Sequence, residues 1–219
     1  MAHGEALSRS FYDRLGAEGL RRRTKAKWDA AITEAVAAYL GRRERVLDAG
    51  CGYGRIAVPL AGRGYQVTGL DLSETLLQSA HATARAQRLR LPLVNGSMTR
   101  PPFKDESFDA VICLWSAYWE VLDPADQILT LAEMRRVLRD GGLALIEGPV
   151  APAAAGAVPP DRISRDLVDG LPNSGYVHDA ETLRSRCASA GIGEAEIFSR
   201  DWAGRSRTIV LFGRDNPPG

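Results

Sequence analysis

Val46-Leu47-Asp48-Ala49-Gly50-Cys51-Gly52-Tyr53-Gly54 is a short apolar run that ends in an acid and then in three alternating glycines, and Asp71 follows after one further helix–strand unit. The glycines let the backbone turn tightly and approach a ligand, because no Cβ stands in the way. The helix that follows aims its N-terminus at the turn, a seat for a carboxylate or phosphate. A second strand ends at Asp71, where a carboxylate can accept both hydroxyls of a ribose. The stretch reads as the cradle of a nucleoside-containing ligand. Against it stands a glycine turn that serves packing alone.

The spacing narrows the ligand. A dinucleotide fingerprint needs G-x-G-x-x-G, with the third glycine beside a pyrophosphate. Here Arg55 occupies that third position and Tyr53 adds bulk, which leaves room for a smaller aminocarboxypropyl group. The D-x-G-x-G-x-G form, with Asp48 before the glycines, resembles motif I of the class I S-adenosylmethionine-dependent methyltransferases, small-molecule type. The resemblance extends over residues 40–215: Asn95-Gly96-Ser97-Met98 and Ser107-Phe108-Asp109-Ala110-Val111-Ile112 resemble the family's adenine loop and fourth strand, and residues 131–142 its helix and turn before strand five. It implies S-adenosylmethionine as cofactor, S-adenosylhomocysteine as product, and a cofactor site at Asp48, Gly50, Cys51, Gly52, Asp71, Leu72, Ser97, Met98 and Leu114. Relatives often carry an acid where Ser97 stands; its hydroxyl is a weaker acceptor for the adenine amino group. Tyr12, in Phe11-Tyr12-Asp13, resembles an aromatic that closes over the cofactor in small-molecule members.

Strands alternate with helices along the chain: strands at 45–49, 66–71, 91–94, 108–114 and 143–147, helices at 20–40, 55–61, from Ser73, and 124–138. This predicts an α/β, Rossmann-like doubly wound sheet, mostly parallel and seven-stranded, in a single domain. A helix at 180–190 and strands at 194–200 and 206–214 would supply the antiparallel C-terminal hairpin that this fold carries. Residues 1–40 form an N-terminal helical segment or cap, although 1–19 lack strong periodicity and read as mobile. Residues 41–219 form the cofactor-binding domain, and proline-rich, weakly periodic residues 150–178 read as a lid.

The 219 residues carry a net charge of +1, with 45% hydrophobic and 25% charged residues, so no global field recruits nucleic acid or an anionic membrane. The arginine runs at 21–23 and 42–45 read as solvated helix faces. Three cysteines without metal spacing, and no leader or spanning run, predict a cytoplasmic protein, monomer or homodimer, with no metal. Leu114-Trp115-Ser116-Ala117 lacks the Pro-Pro run of amino-methylating DNA enzymes and the Pro-Cys pair of RNA base methylation.

The acceptor is expected beyond strand four. Trp115, Tyr118 and Trp119 crowd five positions there, either as packing or as an aromatic wall with one ring toward the sulfonium. Tyr176, Trp202 and Arg205 would form the opposite wall, with Asn173. The candidate bases are His178, Glu120 and Tyr118, with His178 first because it titrates near neutrality; a surface or capping role is its alternative. The reading is methyl transfer to oxygen or nitrogen of a small-molecule acceptor, with secondary metabolism implied by family analogy. The alternatives are an RNA or protein methyltransferase and a non-catalytic, cofactor-binding regulatory module.

Overall fold

A computed structural model describes residues 3–24, 26–153, 158–202 and 204–214. Strands β1 (Arg45–Ala49), β2 (Gln66–Asp71), β3 (Leu93–Asn95), β4 (Phe108–Cys113) and β5 (Leu138–Pro149) run parallel. After β5 come a hairpin of β6 (Ile163–Val168) and β7 (Leu171–Tyr176), then helix α6 (Ala180–Ser189) and strands β8 (Ala195–Asp201) and β9 (Ser206–Gly213). The main sheet has seven strands in the order β3-β2-β1-β4-β5-β9-β8, with β9 antiparallel to both of its neighbours. The order reverses between β1 and β4, so the crevice at their carboxyl ends is where this topology accepts ligands. The expected fold class holds.

Alternate residues of the central strands enter opposite layers. Ala110 and Ile112 of β4 pack with Ile32, Val36 and Leu40 of α2 (Ala26–Leu40), whereas Val111 and Cys113 pack with Leu131 and Met134 of α5 (Pro124–Val137). All six β4 residues are buried, as a central strand covered on both faces requires. Between them lie α3 (Ala57–Gly62) after β1 and α4 (Glu74–Ala86) after β2, the latter capped by Ser73, whose hydroxyl accepts from the Leu76 amide at 3.1 Å.

Two expectations are corrected. Residues 3–19 are not loose chain: they belong to α1 (His3–Arg22), which bends at Gly16 (φ 65°, ψ 172°) and buries Phe11, Leu15 and Ala17. The segment expected as a lid loop is in large part the β6–β7 hairpin, paired from Ile163↔Tyr176 to Val168↔Leu171. The stretch of the proline- and alanine-rich run at 154–157 lies outside the described residues.

Candidate active site

The glycine turn leaves β1 with φ values of +81° at Gly50 and +52° at Gly52, a region in which a side chain is strained. A Cβ on Gly50 would stand 2.5 Å from the Ala117 Cβ, whereas at Gly52 the nearest atom is 3.7 Å away. A Cβ at Gly52 would therefore meet only an ordinary van der Waals contact, and its backbone lines the main cavity. Its amide donates to Asp71 Oδ2 at 2.7 Å, and the Ser73 amide donates to Oδ1 at 2.8 Å. These bonds join the glycine turn to the end of β2 and leave further lone pairs on both oxygens for a ligand's hydroxyls. Burial raises the Asp71 pKa, and the two amides oppose the rise. Asp48 is buried beneath the turn; burial first, then the Asp71 charge, push it up to about 7.

Beyond β4 the chain turns through two non-glycine residues with positive φ, Trp115 at 55° and Ser116 at 71°. Glu147, 2% exposed on β5, holds this strained turn. Its carboxylate accepts from the Trp115 amide at 2.7 Å and its carbonyl from the Ser116 amide at 3.2 Å. Arg207 of β9 pairs with the same carboxylate and donates to Ser116 Oγ at 2.9 Å. The Arg55 guanidinium lies over the Trp115 ring, 3.2 Å from its centre, and is paired with Asp29 of α2 at 2.5 Å. One face of Trp115, one of the three rings expected to form the aromatic wall, is thus covered by a cation.

Helix α1 closes the crevice. Ser8 donates to Glu120 Oε2 at 3.0 Å and Tyr12 donates to Oε1. Ser73 donates to Asp13 at 2.6 Å, and Ser97 and Thr99 donate to Glu5. Glu5, Ser8 and Tyr12 are spaced by three and four residues, one face of a helix. Burial pushes the Glu120 pKa up to about 7, against the pull of the Tyr12 and Ser8 hydroxyls. Burial and the neighbouring carboxylate hold the Tyr12 hydroxyl well above its ordinary value.

A cavity of about 250 Å³ gathers Tyr12, Gly50, Cys51, Gly52, Asp71, Leu72, Met98, Leu114, Trp115 and Glu120 from the expected residues. Ser97 lines a smaller cavity that adjoins it at Leu72, Met98, Ala117 and Glu120. Reading the sequence missed Ser8, Arg9, Arg55, Ser73 and Ala117 on the main wall. The three-and-four spacing around Tyr12 was the available signal for Ser8.

The remaining expected residues lie off this wall, for packing reasons. His178 is 1% exposed, stacked on Tyr118 at 5.2 Å and packed against Tyr176 at 4.7 Å; neither ring nitrogen has a hydrogen-bond partner among the described residues. Burial, then Arg186 and Arg162, lower its pKa to about 3, which suits a neutral core ring and not a base. Tyr118 is fully buried, with its hydroxyl 3.4 Å from the Gln127 carbonyl. Trp119 lies flat on Gly148, where a Cβ would come within 2.3 Å of the ring. Trp202 packs against Tyr39 at 6.4 Å, and Arg205 sits over Trp28 at 5.0 Å.

Residues 46–142 match the family model described as a methyltransferase domain. This segment is a methyltransferase domain. A demethylmenaquinone methyltransferase of Deinococcus radiodurans is 39% identical over 130 residues, 58% of this chain and 50% of that protein. The chain spans about half the length of the curated relatives it matches first, with 49%, 50% and 46% covered. Solved structures extend the methyltransferase fold over nearly the whole chain. The sugar N-methyltransferase KedS8 of Streptoalloteichus superposes with a TM-score of 0.71 at 20% identity, covering 92% of this chain and 94% of that one. The 1,6-didemethyltoxoflavin-N1-methyltransferase of Burkholderia thailandensis does so with 0.71 at 19% identity, covering 99% and 92%. No helix among the described residues is long and apolar enough to cross a membrane.

Proposed function

We propose that this methyltransferase domain binds S-adenosylmethionine in the α1-covered crevice and methylates oxygen or nitrogen of a small-molecule acceptor. The observation that carries the reading is the convergence of the Gly52 backbone, Asp71 and Glu120 on one cavity. When bound, the cofactor supplies an electrophilic sulfonium methyl, so the protein contributes alignment, exclusion of water and handling of a proton. Gly50 and Gly52 would admit the aminocarboxypropyl end, Asp71 would take the ribose hydroxyls, and Leu72 and Met98 would flank the base. Tyr12 and Ser8 seal the methyl end.

Glu120 is the proton acceptor in this reading. With a pKa near 7 it is partly ionised at neutral pH and still basic enough to help an acidic O–H or N–H depart. A cavity of about 220 Å³ between α1 and β7 shares Ser8 and Glu120 with the cofactor crevice and is walled by Leu7, Phe11, Leu122, Leu171 and Pro172. It leads an apolar acceptor to the same carboxylate. The fold-level likeness to N-methyltransferases of a sugar and of didemethyltoxoflavin supports a small acceptor and a place in secondary metabolism. The three buried free cysteines accord with a reducing cytoplasm.

The test uses methyl-labelled S-adenosylmethionine, the purified protein and a cell extract divided by size. Label in the small-molecule fraction is expected. Label confined to protein or nucleic acid, or bound cofactor with no transfer to any fraction, overturns the small-acceptor reading.

A further inference from the structure

We infer that Glu5, on the first turn of α1, reads the exocyclic amino group of the cofactor's adenine, an inference that rests on the cofactor reading above. The smaller cavity beside the main crevice holds about 50 Å³ and has apolar walls at Leu72, Met98, Ala117 and Leu122. It adjoins the main cavity at Leu72, beside the β2 end where Asp71 would hold the ribose, so the edge of a base attached to that sugar can reach it. Apolar walls suit a purine ring. They do not choose between purines.

The polar edge makes that choice. Ser97 and Thr99 both donate to one oxygen of Glu5, Oε1 (the Thr99 bond is 3.0 Å), while the Thr99 amide donates to Ser97 Oγ at 3.0 Å. The two hydroxyls also lie 2.7 Å apart, so either can donate to the other, and Glu5 Oε2 receives no side-chain donor from either. A carboxylate oxygen at the cavity edge accepts an amino N–H and repels a carbonyl oxygen. Adenine presents an amino group at its six position and hypoxanthine presents oxygen. The other acids on this wall are placed differently: Glu120 accepts from Ser8 and Tyr12, Asp123 accepts from the α5 amides of Ala125 and Asp126 at 2.7 and 3.3 Å, and Asp126 stands in the first turn of α5, whereas Glu5 is bonded to Ser97 and Thr99. The acid comes from the covering helix and not from the strand-end loop, so recognition of the base and docking of α1 become one event.

The test is calorimetric titration with S-adenosylhomocysteine and with S-inosylhomocysteine, which differ in that one group. The wild-type protein should prefer the adenosyl ligand. Glu5→Ala should weaken that ligand by about tenfold and leave the inosyl ligand within about twofold, which collapses the preference. Glu5→Gln, which keeps the shape of the side chain and an amide oxygen, should lose less. Equal weakening of both ligands in Glu5→Ala would mean that Glu5 only holds α1 down, and an unchanged preference would mean that it does nothing for the base; either overturns the inference. A wild-type protein that binds neither ligand refutes the cofactor reading itself.

Discussion

Glu120 takes its role from its surroundings. Burial raises its pKa to about 7, and the hydrogen bond from Tyr12 is the largest influence that pulls it back down. A base must be deprotonated to act, so transfer should rise as pH passes through about 7 and level off above it. Glu120→Gln should lower kcat by about a hundredfold or more while S-adenosylhomocysteine still binds. In Tyr12→Phe the lowering hydrogen bond is gone, so the midpoint of the rate profile should move to higher pH. An unmoved midpoint would separate Glu120 from the chemistry.

His178 gives a residue-scale prediction of the opposite kind. Its folded pKa is about 3, against an ordinary 6.5, so between those values the unfolded chain binds a proton that the folded one refuses. The stability that comes from keeping this ring neutral is complete above pH 6.5 and is lost as pH falls through the window below it. Asp48 and Glu120, raised to about 7, oppose this trend, because their folded forms take up protons before the unfolded chain does. A comparison with His178→Phe isolates the histidine. Denaturant unfolding should show the wild type losing up to about 1.4 kcal/mol per pH unit relative to the variant below pH 6.5. The variant should keep its methyl-transfer rate at neutral pH; a lost rate in a folded protein would restore His178 to the reaction.

At the scale of elements, the aromatic residues after β4 divide according to where their short helical turn (Ala117–Glu120) puts them. Trp115 reaches the crevice, and Tyr118 and Trp119 go into the layer under α5 and α6. Gly148→Ala tests the packing role of Trp119, since the added methyl has no room beside the indole. It should destabilise the fold by about 1–3 kcal/mol in chemical denaturation, with cofactor affinity little changed. Helix α1 was hard to see for a related reason. Its inner face joins the domain largely through polar side chains whose partners are far along the chain: Glu5 to Ser97, Ser8 to Glu120, Asp13 to Ser73. Amphipathic periodicity registers apolar stripes and passes over such a face. The β1 turn and β4 were legible because glycine spacing and a continuous apolar run are local signals.

Across the whole molecule, the mostly parallel, doubly wound sheet followed from strand–helix alternation, because crossover connections leave few alternatives. Sequence left open which side of that sheet the β6–β7 hairpin and α6 would serve. They cover the layer that holds Tyr118, Tyr176 and His178, and that draws the expected base and part of the expected acceptor wall away from the crevice. The cofactor half of the site, made from adjacent strand ends, was accordingly easier to read than the acceptor half, which depends on the placement of long connections.

The glycine turn and Asp71 together form the seat proposed for S-adenosylmethionine. Titration of the wild type and Asp71→Ala with S-adenosylhomocysteine, with NADH as a competitor, tests it most directly. Saturable binding at one site, no displacement by NADH, and a loss of about 1–3 kcal/mol in Asp71→Ala are expected. Equal affinity in the variant, or preference for NADH, would contradict it.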